Sequence, residues 1–358
     1  MEVIFVRSPY FIEVDEASQV ESKVEMFIWH KGESEPTTVT YTLSKKAAST
    51  TQTKNIYNIS NYAKEYIDII NPVLVNAPDE ENNNNWCYVK IKRYTATTIG
   101  SYTLLDITTY AALNGYTNYL DGYNASINSA EVVLTSMPNN KKYKYYNTSI
   151  PYINFFIGIN ENEYKIKLSS LDGYDVEYIT IIDSPSEEYL VKLPITNTAN
   201  ASFENGNNFE IQRNSSELFT GTFIPECENK YEPLQCAFIN RFGGWDFITF
   251  FKARTQQWEV KNKEYQLLPN DVNYNPLRGE SKAFNYEAKQ TIKINTGWLY
   301  EYYNELIKDL MTSETILLDN KPVKLKTMST DLKTSLQDKM INYQIEFEYN
   351  YNQINNVI

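Results

Sequence analysis

The chain has 358 residues, more than the ~250–300 at which a single hydrophobic core usually stops growing, so two or three domains are expected. With 42% hydrophobic and 22% charged residues it has the composition of a globular protein, which excludes wholesale disorder. Its formal net charge of −12 argues against a broad surface for gripping phosphates. The longest apolar stretch, Tyr152 to Ile159, falls far short of the ~20 residues of a membrane helix.

Aromatic residues make up 14% of the chain, 30 of them Tyr. Tyr combines a preference for strands with a hydroxyl that stays wet, which suits half-buried sheet faces and interfaces. Met1 to Arg7 enters an alternating strand pattern at once, without the charged and apolar regions of a secretory signal. Val24 to Trp29 and Thr38 to Leu43 alternate in the same way, and such short period-two runs between turn residues read as strands. Ile59 to Ile67 breaks the rhythm with apolar residues at helical spacing, and Ser60 is placed to cap a short helix. Pro78 to Asn85 reads as an exposed loop. Strand character returns at Trp86 to Arg93 and Gly100 to Leu105, which completes a β-sandwich over 1–115.

From Asn114 to Pro151 the patterning is less regular and reads as a connector or arm, with Lys141-Lys142-Tyr143-Lys144 as a solvated loop. Strand patterns at Ile153 to Ile157, Tyr164 to Leu168, Val176 to Ile182 and Tyr189 to Leu193 then place a second β-sandwich within 116–254. Leu120-Asp121-Gly122-Tyr123 reappears as Leu171-Asp172-Gly173-Tyr174, an Asp-Gly turn arising twice. Two further strands, Cys236 to Arg241 and Trp245 to Phe251, meet in a hairpin turn assigned to Asn240, Arg241, Gly243, Gly244, Trp245 and Asp246. The adjacent glycines there permit positive φ.

The region 255–358 is read as a third, β-rich domain with a helix at about 297–311, whose Leu299, Tyr303, Leu306 and Leu310 share one face. Near its end Ile341, Tyr343, Ile345, Phe347 and Tyr349 alternate with polar residues, the mark of a strand belonging to a core or to a subunit interface. The fold class expected is therefore mainly β: tandem Ig-like or β-sandwich domains with one C-terminal helix and a few short helices.

Chemistry is sparse in the sequence. His30 is the only histidine, which removes His-pair metal sites and leaves any Ser-His-Asp or Cys-His arrangement dependent on one residue that reads as part of a turn or edge. No G-x-S-x-G, phosphate-binding glycine loop, C-x-x-C or H-E-x-x-H motif is present. Asp271 to Asn275 begins like a calcium loop, but Pro276 stands where glycine should turn the chain and Lys282 where a bidentate Glu belongs. Glu187-Glu188 and Asp79-Glu80-Glu81 read as solvated charge, since neighbours on a strand face opposite ways. Of three cysteines, Cys227 and Cys236 could form at most one short-range bridge, and reduced, buried thiols are the favoured reading. No catalytic, cofactor-binding or metal-binding residue is assigned, and the chain is expected not to be an enzyme.

Tyr231-Glu232-Pro233 followed by Phe238-Ile239-Asn240-Arg241-Phe242-Gly243-Gly244-Trp245-Asp246-Phe247-Ile248-Thr249-Phe250 resembles a recurring element in structural proteins of crAss-like and related Bacteroidetes phages. Val6 to Ile12, Ile294 to Leu299 and Asn342 to Tyr349 are similar to segments of the same proteins and keep a consistent order. The resemblance implies Ig-like β-domains repeated around a symmetry axis, in a ring component stacked between portal and tail tube. It further implies a homo-oligomeric ring in contact with other virion proteins. Such a protein is made in the host cytoplasm, resides in the virion neck or tail, and uses no membrane and no direct sequence-specific nucleic acid. Two other functions compete: a carbohydrate-binding β-sandwich or receptor-binding adhesin, in which exposed aromatic rings stack on sugars, and a glycoside hydrolase, which needs two facing carboxylates in a cleft.

Overall fold

The computed structural model describes residues 1–49, 51, 53–72, 77–129, 131–145, 152–197, 200–226, 230–267, 275, 277, 279–332 and 340–354. The protein is mainly β, with 52% strand and 8% helix. Its chain divides into two compact units. One comprises Met1–Cys227, Phe238–Phe247 and Glu305–Glu314, the other Glu228–Ala237, Ile248–Asn304 and Thr315–Ile358.

The first unit is organised around a five-stranded sheet in the order β1 (Glu2–Phe5), β8 (Ser101–Leu113), β7 (Trp86–Thr98), β3 (Glu21–Trp29) and β4 (Tyr41–Lys46). Strand alternation sends successive side chains to opposite faces, and each face of this sheet carries a buried core over part of its length, while the far end of the β7–β8 hairpin is exposed. Ile4, Val24, Met26, Ile28, Val89 and Ala112 point into a core closed by β2 (Phe11–Val14), β5 (Asn55–Asn58) and α1 (Ser60–Lys64), which contribute Ile12, Val14, Tyr57 and Ala63. Val3, Phe5, Trp86, Tyr88 and Leu113 point the other way and meet Leu134, Phe156 and Leu190. Those three side chains come from a four-stranded sheet in the order β6 (Asp79–Glu80), β14 (Tyr189–Pro194), β11 (Tyr152–Ile157) and β9 (Glu131–Leu134). All six residues of β11 are buried, and apart from Asn154 the strand is apolar or aromatic throughout, as a strand covered on both faces should be.

A second five-stranded sheet has the order β10 (Lys141–Tyr145), β16 (Ser216–Pro225), β15 (Asn207–Arg213), β12 (Glu163–Ser170) and β13 (Val176–Asp183). Phe155 of β11 and Tyr164 of β12 meet edge to face at 5.6 Å, in the sandwich-like manner expected. The segment read as an irregular connector therefore contains two paired strands, β9 and β10. The lysine cluster is also a strand, not a loop: Tyr143 and Tyr145 are buried while Lys141 and Lys142 are exposed, and β10 lies parallel to β16 at the sheet's end. Lysines on such an edge discourage pairing with another chain.

Two local expectations are corrected in the same way. Ser60 lies inside α1, where its hydroxyl accepts the Tyr10 N–H at 2.7 Å and donates to the Ser8 carbonyl at 2.6 Å. Its oxygen thus holds the preceding chain and does not cap the helix. Nor does the loop 78–85 stay in solvent, because Glu81 and Asn85 are buried.

In the second unit the strands follow the order β18 (Trp245–Phe250), β17 (Leu234–Ile239), β22 (Ile316–Leu318), β23 (Lys321–Leu325), β25 (Gln344–Tyr349), β20 (Ser281–Asn295) and β19 (Thr255–Gln266). The turn end of the β17–β18 hairpin, Phe238–Phe247, is counted in the first unit. A short pair, β21 (Leu299–Tyr300) with β24 (Met340–Ile341), completes the strands. The helix expected at 297–311 starts later, as α2 (Asn304–Thr312) after a single 3-10 turn at Glu301–Tyr303. Gly297, at φ +69, turns the chain out of any helical path, and Leu299 becomes a strand residue.

Candidate functional site

The hairpin turn singled out in the sequence is organised by one amide. Asn240 Oδ1 accepts the N–H groups of Phe242 at 2.9 Å and Gly244 at 3.2 Å, while its Nδ2 donates to the Leu134 carbonyl at 3.0 Å and to Asp246 Oδ2 at 2.9 Å. Asp246 also accepts the Thr135 hydroxyl at 2.7 Å and the Ser136 N–H at 2.8 Å. Gly243 takes φ +82, and a Cβ there would lie 3.0 Å from the Asn114 nitrogen. Gly244 is required for a different reason, since its Cβ would lie 2.6 Å from the Leu134 oxygen. Trp245 donates its N–H to Asn154 Oδ1 at 2.7 Å, and Asn154 Nδ2 donates to Glu81 at 3.0 Å. The Arg241 guanidinium lies over the Phe242 ring, 4.5 Å from its centroid.

A second carboxylate, Asp309 of α2, accepts the Arg241 N–H at 3.0 Å, the Tyr116 hydroxyl at 3.0 Å and the Ser136 hydroxyl. Burial pushes the Asp246 carboxyl up from 3.8 to about 6, and neighbouring Asp309 pushes the same way, while the donors from Thr135, Ser136 and Asn240 pull it down. Every donor in this node is a protein group filling a protein acceptor, so the node fixes backbone. Among the described residues no group of three or more His, Cys, Asp or Glu could hold a metal ion. The calcium-like segment 271–274 with Pro276 lies outside the described residues.

Buried carboxylates elsewhere correct the reading of the adjacent acids as solvated charge. One acid of each group turns inside: Glu188 is buried and accepts the Tyr88 hydroxyl at 3.0 Å, and Glu81 is buried against Asn154. The outward neighbours Glu80 and Glu187 take up the buried Lys31 Nζ at 2.7 and 3.7 Å. That ammonium also sits 3.1 Å from the centre of the Tyr189 ring. Nothing in the sequence marks which acid faces inward, because the apolar context is supplied by strands far away in the chain.

Lys31, Glu187 and Glu188 line an open cleft of about 340 Å³ together with Trp29, Glu33 and Glu35. Its acids all have protein partners. Glu33 accepts the His30 N–H at 2.9 Å and Glu35 pairs with Lys90 at 2.6 Å. His30 anchors the adjacent turn, with Nδ1 at 3.2 Å from the Asn83 carbonyl and 3.1 Å from that of Trp86. Cys87 and Cys236 are free and buried, and burial raises both thiols, Cys87 to about 12. Cys227 lies outside the described residues.

The five alternating residues near the C-terminus, Ile341, Tyr343, Ile345, Phe347 and Tyr349, are all buried within the single chain. The single strand expected is broken in two: Ile341 belongs to β24, paired with β21, Tyr343 lies between the strands, and Ile345, Phe347 and Tyr349 lie in β25, an interior strand that pairs with β23 on one side and β20 on the other.

What the sequence did not mark out is the adjoining ribbon. Strand β20 pairs with β25 only over Thr291–Asn295, whereas it pairs with β19 back to Ser281. From Glu287 to Ser281 the two strands pair only with each other, and all twelve residues of β19 are exposed. Directly paired residues share a face. Trp258, Val260 and Tyr286 therefore lie on one face, and Tyr265 with Phe284 on the other, after a bulge near Lys261 and Lys263. Trp258 is 57% exposed, and the rings of Tyr265 and Phe284 meet edge to face at 5.6 Å. An isolated two-stranded ribbon is marginal in water, and one with aromatic residues open on both faces has the character of an interaction surface. The alternation of β19 is legible in the sequence, but its mixture of Trp, Val, Glu and Lys does not reveal that neither face is covered.

No protein-family model matches the chain, and no curated protein matches it.

Proposed function

We propose that the chain is a non-enzymatic structural subunit of a bacteriophage virion, an oligomeric ring or collar component between portal and tail tube, built of Ig-like β-modules. The observation that carries this reading is the β19–β20 ribbon, which exposes aromatic side chains on both of its faces. The resemblance of other segments of the chain, Phe238 to Phe250 foremost, to structural proteins of crAss-like phages supplies the location. The partners are then further copies of the chain and neighbouring virion proteins, met after synthesis in the host cytoplasm. The test is the mass and symmetry of the purified protein. A particle that is a whole multiple of 41.7 kDa and shows rotational symmetry on imaging supports the reading. A 41.7 kDa monomer at every concentration overturns it.

The cleft beside Trp29 favours a second reading, sugar binding, because an aromatic ring among acids offers stacking and hydrogen bonding together. Glycan binding abolished by Trp29→Ala would support that reading, and its absence across a broad glycan panel would remove it.

A further inference from the structure

Two strands end their sheets with an open edge: β13 is acidic, whereas β19 is neutral in itself and belongs to a ribbon that is basic as a whole. Strand β19 closes the order of its sheet and β13 closes another. In β19 and β20 five lysines stand against three glutamates, so the ribbon carries +2 while the rest of the chain carries −14. Around β13 the balance is reversed: residues 172–183 contain Asp172, Asp175, Glu177 and Asp183 and no Lys, Arg or His. Both edges are also apolar where they are exposed. Tyr178 of β13 is 58% exposed, with Val176 and Tyr174 exposed beside it, and Trp258 and Val260 answer them on β19.

From these features we infer that β19 of one copy adds to the β13 edge of the next, continuing a sheet from copy to copy. The inference rests on the oligomeric reading above and names the surfaces that produce it. Edge addition satisfies the outward N–H and C=O groups of both strands. Eight paired residues, the length of β13, span roughly 26 Å at ~3.3 Å per residue. Opposite charges fix which edge meets which, since like charges brought together are repelled. Because the two edges are different surfaces, the contact is head to tail, the kind that closes into a ring when the rotation between copies allows.

Charge reversal tests the pairing on the whole chain. One variant carries Lys261→Glu and Lys263→Glu, a second carries Asp175→Lys and Glu177→Lys, and a third carries all four. Lys261 and Lys263 lie on β19, Asp175 just before β13, and Glu177 on β13, where its carboxylate accepts the Asn197 amide at 3.1 Å; circular dichroism checks that each variant is folded. Native mass spectrometry and light scattering at one protein concentration are expected to show each two-site variant reduced to the 41.7 kDa monomer. The four-site variant and an equimolar mixture of the two-site variants are expected to recover the oligomer. An oligomer that survives either reversal, or a loss that neither combination rescues, overturns this pairing and leaves the oligomeric reading standing. A wild-type protein that is monomeric throughout overturns both.

Discussion

Gly243 and Asp246 lie three positions apart and constrain the same turn through different physics. Valine at 243 would meet a backbone conformation it resists, at roughly 1–3 kcal/mol, and would press on Asn114 and Leu113 at 3.0 Å, for a similar amount of overpacking. Gly100, at φ +79 with nothing within 4 Å, isolates the first of these effects. Gly243→Val is therefore expected to lower the denaturation midpoint well beyond Gly100→Ala, which should cost only about 1 kcal/mol. Equal losses would show that crowding at 243 is unimportant. For Asp246 the expected signature is a pH dependence. Its carboxyl is raised to about 6 in the folded protein from an ordinary 3.8, so the native state holds the proton more tightly than the unfolded chain. Its contribution is complete below about pH 3.8 and is lost as pH rises through about 6. Glu13, Glu25 and Glu314 are lowered and contribute in the opposite sense at more acid pH. Asp246→Asn presents an amide to three donors and should cost about 1–3 kcal/mol at neutral pH. The difference in unfolding free energy between wild type and variant should widen as pH falls from 7 to 5. A constant difference across that range would contradict the assigned titration.

At the scale of elements, β25 and the β19–β20 ribbon are opposites. Five buried side chains, Ile341, Tyr343, Ile345, Phe347 and Tyr349, at roughly 1.5–3 kcal/mol each, rival the whole ~5–15 kcal/mol stability of a domain. Truncation before Ile341 also opens two sheet edges, on β20 and β23. The truncated protein is expected to be insoluble or aggregated, and recovery of a soluble, folded species by size-exclusion chromatography would refute the interior placement. The ribbon should behave differently. Amides of Lys261–Gln266 and Ser281–Glu287 are expected to exchange with deuterium quickly in dilute protein and slowly in the assembled state. Equal exchange in both states would show that assembly leaves the ribbon uncovered. These two elements also mark how far the sequence could be read. Alternation at Ile341 to Tyr349 announced strand structure with a buried face, and Gly243-Gly244 announced the turn between β17 and β18, because both signals are local. The late start of α2 was hidden because Leu299 and Tyr303 fit helical spacing, while Gly297 and the pairing of β21 with β24 decide the matter. The inward turn of Glu81 and Glu188 was hidden because their partners, Asn154 and Tyr88, are distant in sequence.

For the molecule as a whole, charge and chain order matter most. A chain of net charge −12 repels its copies, so the oligomer proposed here depends on where its few basic strands lie, and added salt should weaken a contact built on them. Chain order bears on synthesis. The first compact unit takes its residues from Met1–Cys227 and then again from Phe238–Phe247 and Glu305–Glu314. Arg7, near the start, donates to the Thr312 carbonyl and pairs with Glu314 at 3.3 Å, and the Leu134 carbonyl and Ser136 wait for Asn240, Asp246 and Asp309. A fragment ending at 227 is expected to show the far-ultraviolet signal of strands without the near-ultraviolet signal of fixed aromatic packing, and a native-like near-ultraviolet spectrum would count against this dependence. At ~5–20 residues per second, the 87 residues from Cys227 to Glu314 occupy a ribosome for roughly 4–17 s. During that interval the nascent chain displays an unfinished core to its surroundings, a window in which chaperones, and neighbouring nascent copies on the same messenger, compete for it.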